Sequence, residues 1–138
     1  MTAPTPPTGA WTVIYDGECD VCATLLALLL RADRDRRLRP LALGTATADR
    51  LLSDLPQAER EASWHLVDPS GHLESAGAAA PPLLRLLPGG GPPAALLARF
   101  PRQTERGYRA VADHRTAIGR WVPSSVKRRA RRAVAART

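Results

Sequence analysis

Two cysteines three residues apart, Cys19 and Cys22, constrain this chain more than any other feature, because they are its only two. They follow a β-branched and aromatic run, Trp11 to Tyr15, that reads as a strand. They precede a Leu- and Ala-rich stretch, Asp20 to about Arg34, that reads as a helix with an acid in its first turn and arginines in its last. Asp16, Gly17 and Glu18 break the chain between the two. A C-x-x-C at such a junction puts Cys19 near a helix N-terminus, where unpaired backbone N–H groups and the helix dipole favour a thiolate. Cys22 falls one turn further on and is expected to be more buried. A small secreted domain stapled by disulfides would need more cysteines than these. What remains is redox chemistry or half of a metal site. A metal would need two further ligands, and His65, His72 and His114 have no metal-like spacing, so no metal and no other cofactor is expected.

Downstream, Leu38 to Leu43 is a second strand candidate weakened by Pro40, and Ala46 to Leu55 a short helix. Ser63 to Val67 is a third strand, Asp68 to Gly71 a hairpin turn, and His72 to Ser75 a fourth, antiparallel strand. Ala78 to Leu87 and Pro93 to Phe100 read as helical segments. Thr104 to Val122 reads as one amphipathic helix, with Tyr108, Val111, Ala112, Ile118 and Val122 recurring at three- and four-residue steps. The predicted fold class is α/β and thioredoxin-like: a central four-stranded mixed sheet flanked by helices, with an extra C-terminal helix. Within it, Leu25, Leu26, Leu28, Leu29 and Leu30 wrap most of the first helix, which is expected to lie between two layers. The expected organisation is a disordered leader over 1–10, one domain over 11–122 and a basic tail over 123–138.

The chain has 138 residues and a formal charge of +7, unevenly spread. Residues 1–98 carry 8 Arg against 11 acids, whereas residues 99–138 carry 12 basic residues against 2 acids. The basic excess is therefore a property of the tail and does not point to a nucleic-acid-binding fold. The longest apolar run, Val21 to Leu30, is too short to span a membrane. The first ten residues show no secretory signal, and a cytoplasmic location is expected.

Dithiol chemistry would run as thiol–disulfide exchange: Cys19 attacks a substrate disulfide, and Cys22 resolves the mixed disulfide. Asp16, Glu18 and Asp20 oppose ionisation of Cys19 and point to a reducing rather than a strongly oxidising pair. Alternatively, Asp16 turned inward would accept the proton of Cys22.

The octapeptide from Tyr15 to Cys22 (YDGECDVC) resembles the hallmark of the DCC-family thiol–disulfide oxidoreductases, a strand ending in Tyr-Asp-Gly followed by one residue and C-x-x-C. Leu28, Asp33 and Leu38, then His65 to Asp68 with Gly71, then Gly77, Ala78 and Ala80, and finally Tyr108, Ala112, Arg115 and Ile118 extend the likeness over about residues 11–120. The resemblance implies a thioredoxin-like fold and a site formed by Cys19 and Cys22 with Asp16 as the motif's acid. Its substrate would be a disulfide-containing protein or a small thiol. Thioredoxins proper keep a proline just before the third strand; here the nearest upstream is Pro56.

Trp11, Trp64 and Trp121 are expected in core or edge packing, with Trp11 or Trp64 near the dithiol as the other reading. His65 is expected to be partly buried and hydrogen-bonded, and His114 and Arg115 to lie on a helix surface. The run from Lys127 to Arg132 reads as a solvated, frayed tail, and Val126 to Ala136, capped by Ser124 or Ser125, as one more basic helix that forms on a partner. A second functional class follows from it: a binding module docking through its basic C-terminus on a protein, an anionic membrane or nucleic acid.

Overall fold

The computed structural model describes residues 9–137. The expected disordered leader lies outside these residues except for Gly9 and Ala10. The first strand, β1 (Trp11–Tyr15), leads through the cysteine loop into α1 (Asp20–Ala32) and then β2 (Leu38–Ala42). Two short helices follow, α2 (Ala46–Leu51) and α3 (Gln57–Ala62), before the hairpin of β3 (His65–Val67) and β4 (Leu73–Ser75). The sheet order is β2-β1-β3-β4, with β1 and β2 parallel and the other pairs antiparallel. Pro40 is tolerated because β2 is an edge strand, where a missing N–H removes no ladder bond that a neighbour needs.

Helices cover both faces of the sheet, so Val13 and Ile14 are both buried although they point in opposite directions. Val13 packs with Leu26, Leu30, Leu38, Leu66 and Leu83 on one face. Ile14 packs with Ala48, Leu52 and Val67 on the other. The hairpin turn is held by Asp68, whose Oδ1 accepts from the backbone N–H groups of Ser70 and His72, both at 2.9 Å.

After β4 a single 3-10 turn (Ala76–Ala79) opens α4 (Ala80–Arg85), and α5 (Gly91–Arg99) follows. Gly77 is required here. A Cβ on it would lie 2.8 Å from Glu105 Cα and 3.0 Å from Glu105 N, while its own N–H donates to Glu105 Oε2 at 2.9 Å. That close approach seats α6 (Pro101–Asp113) against the turn.

The single helix expected over Thr104 to Val122 is broken at His114, giving α6 and then α7 (Arg115–Arg120). Gly119 is buried, and a Cβ there would sit 3.3 Å from Val21 Cγ2, so the chain bends to bring α7 onto α1. The bend shifts the phase of the apolar stripe. Ile118 is left exposed, and Trp121, expected in packing, is 88% exposed.

The C-terminal basic segment is not frayed. It forms α8 (Ser124–Arg137), with Ala130 and Val134 buried against α1. Small residues at those positions let the two helices approach closely. Arg137 closes the contact, donating to Asp33 Oδ2 at 3.0 Å and to the carbonyls of Leu30, Asp33 and Leu38. Asp33 also accepts from the N–H groups of Arg37 and Leu38, at 3.0 and 2.8 Å, so its buried carboxylate is fully engaged. Helix α1 therefore lies between the sheet and α8, although Leu25 and Leu28 remain exposed.

Candidate active site

Cys19 is the N-cap of α1. Its extended backbone turns the chain into the helix, and its Sγ accepts from the N–H of Cys22 at 3.2 Å. A sulfur thus takes the capping place that an oxygen usually fills. The loop ahead of it is set by Asp16, whose carbonyl accepts the Cys19 N–H at 3.2 Å and whose Oδ1 accepts the Glu18 N–H at 3.0 Å. Both cysteines are free thiols and partly buried.

Burial pushes the Cys22 thiol up to about 12, and its hydrogen bond with Cys19 and the negative charge of Asp16 act in the same direction, while Arg115 opposes them. Asp16 acts on Cys22 through its charge, while its Oδ1 is engaged by the Glu18 N–H. Asp20 behaves differently from the sequence expectation of a bare opposing charge. Its carboxylate pairs with Arg131 at 2.5 Å and Lys127 at 3.5 Å, both from α8, and Arg131 holds it below the ordinary carboxylate range.

Cys22 also opens onto a cavity of about 780 Å³ between the sheet, α1, α5 and α6. Leu25, Leu96, Phe100 and Val111 form much of its wall and are themselves partly exposed. Tyr108 stacks on Trp64 with ring centroids 5.9 Å apart and accepts the Trp64 N–H on its hydroxyl at 3.0 Å. The Trp64 carbonyl accepts from Ala76 N–H and from Ser63 Oγ. The main chain just before β3, where thioredoxins carry their proline, therefore has its hydrogen bonds already made.

Several placements correct the sequence reading. Arg115, expected on a helix surface, lines this cavity and lowers the Cys22 thiol's pKa. Trp11 and Trp64 both pack against the core, as expected, and Trp64 in addition shares the cavity wall with Cys22. His65 is more buried than expected, bonded to Ser75 Oγ at 2.6 Å and to the Arg60 carbonyl at 3.0 Å. His72 and His114 lie exposed and away from the cavity, and among the described residues no three His, Cys, Asp or Glu side chains are grouped to hold a metal ion.

A mixed sheet of this order, with a dithiol at the head of the first helix, defines a thioredoxin-like protein. The comparison with protein families is specific: the DCC1-like thiol-disulfide oxidoreductase family matches over residues 13–121, and the chain belongs to it. No match was found among curated proteins or solved structures. Among the described residues no helix is long and apolar enough to cross a membrane.

Proposed function

We propose that the protein is a dithiol oxidoreductase in which Cys19 attacks and Cys22 resolves. The observation that carries this reading is the Cys19 Sγ at the helix cap, accepting the Cys22 N–H at 3.2 Å, with Cys22 behind it against an apolar cavity. The Cys19 thiolate attacks one sulfur of a substrate disulfide, and the other leaves as a thiolate that takes a proton from water. Cys22 then gives its proton to Asp16 and attacks Cys19 Sγ. This forms the Cys19–Cys22 disulfide and releases the second substrate sulfur, so two electrons pass to the substrate. The main-chain groups of Trp64 are already paired, which favours recognition of an apolar group in the cavity over strand-like pairing with a peptide. A cytoplasmic setting, where thiols are kept reduced, suits such a pair.

Equilibration with glutathione and trapping with Cys22→Ser test the reading together. We expect an intramolecular disulfide in the wild type and a stable mixed disulfide on Cys19 in the variant. Failure to form that disulfide anywhere between about −150 and −320 mV, the span of known dithiol couples, sinks the proposal. The docking-module alternative is weakened by the engagement of Lys127, Arg131 and Arg137 within the fold itself.

A further inference from the structure

Residues 122–137 lie beyond the segment matched by the family, yet one of their side chains reaches the cysteine loop. Arg131 donates from Nη1 to the Gly17 carbonyl at 2.7 Å and from Nη2 to Asp20 Oδ1 at 2.5 Å. These two acceptors flank Cys19, one on each side in sequence. Lys127 adds a second cation to Asp20 at 3.5 Å. The guanidinium also lies close enough to Tyr15, at the end of β1, to act on its phenol. At the other end of the same helix, Arg137 is fastened to the buried Asp33. The helix is therefore pinned at its C-terminal end to the core and at its middle to the dithiol loop.

We propose that Arg131 is a positioning residue of the dithiol, cancelling the charge of Asp20 and fixing the Gly17 carbonyl so that Cys19 stays reactive. The argument is electrostatic and geometric. Asp20 is the first residue of α1, where its negative charge would oppose a thiolate on Cys19. Pairing with Arg131 removes most of that opposition and leaves the helix terminus free to act on the sulfur. Both partners are partly exposed, 43% and 41%, so the effect is screened by solvent.

The proposal rests on the dithiol reading, but its test does not depend on that reading's success. The full-length reduced protein is alkylated with iodoacetamide at pH 7 and low salt, and labelling of Cys19 is followed by peptide mass mapping. Arg131→Gln should slow the labelling by about three- to tenfold, the size expected for one screened neighbouring charge. Adding Asp20→Asn to that variant should bring the rate back to within about twofold of wild type, because the uncompensated charge is gone. Asp20→Asn alone should speed the labelling, and about 1 M salt should shrink all these differences. Arg131→Lys, which keeps the charge, should retain more than about half of the wild-type rate.

An unchanged rate in Arg131→Gln overturns the proposal. So does a double variant as slow as Arg131→Gln, since undocking of the helix rather than neutralisation would then be the cause. Equal slowing by Lys and Gln overturns it as well. Absence of a glutathione-driven disulfide in the wild type would instead overturn the oxidoreductase reading and leave this labelling series intact.

Discussion

Cys19 and Cys22 share a helical turn but not an environment. Cys22 is held as the thiol by burial and by its neighbours, at about 12, whereas Cys19 caps the helix. Alkylation at pH 7 should therefore label Cys19 first, with Cys22 labelled at least about tenfold more slowly, since one pKa unit is a factor of ten in thiolate. Peptide mapping after partial labelling reads the order, and prior labelling of Cys22 would contradict it. His65 makes a second prediction at this scale. Burial lowers its pKa from the ordinary 6.5, against the raising effect of the Arg60 carbonyl. The folded state thus prefers the neutral ring, so the stability it contributes is complete above about pH 6.5 and is lost as pH falls toward the lower folded value. Urea unfolding at pH 7.5 and 5.5 should show a loss of up to about 1 kcal/mol, and His65→Asn should flatten that difference. His72, raised by Glu74, titrates with the opposite sign but is exposed and screened.

Among the elements, α8 depends on a single deeply placed ion pair. Arg137→Ala would leave the Asp33 carboxylate, whose side chain is 0% exposed, with only two backbone donors. The expected cost is about 3 kcal/mol, at the lower end for breaking a buried pair because those donors remain, and it is read from the urea midpoint. This helix also marks where sequence reasoning stopped. Strand β1, helix α1 and the dithiol were legible because the signals are local: β-branched residues, a Gly-bearing break, an acid and arginines at the helix ends. The hairpin was legible through Asp68 and Gly71 for the same reason. The break at His114 was not, because it follows from the packing of Gly119 on Val21, nearly a hundred residues away in sequence. Arg115 and Arg131 could be read only as surface cations until the tertiary fold brought one to Cys22 and the other to Asp20. The nearest sequence signal for Arg115 was its place in the family pattern of the closing helix.

For the molecule as a whole, the cavity of about 780 Å³ sits where the sheet, α1, α5 and α6 meet, with Cys22 in its apolar wall. Its volume falls in the ~300–1,000 Å³ range of small-molecule sites. Gly107 lies in this wall, and a Cβ there would meet nothing within 4 Å. Gly107→Leu should therefore be accommodated by the fold while filling part of the space. Reduction of a bulky aromatic disulfide should slow by about tenfold, with a much smaller change for hydroxyethyl disulfide, as expected when a pocket loses room for an apolar group. Parallel steady-state assays on the two substrates check this, and equal slowing of both would mean that the cavity does not select.

The clasp between Arg131 and Asp20 spans 111 residues of chain. At ~5–20 residues per second, translation separates the two by roughly 5–20 s, so the cysteine loop leaves the ribosome well before its clasp exists. During that interval the nascent thiols meet the cell without their partner helix. On the role proposed for Arg131, a ribosome-bound chain stalled before residue 124 carries its dithiol beside an unpaired Asp20, and the chain with α8 docked carries it beside a neutralised one.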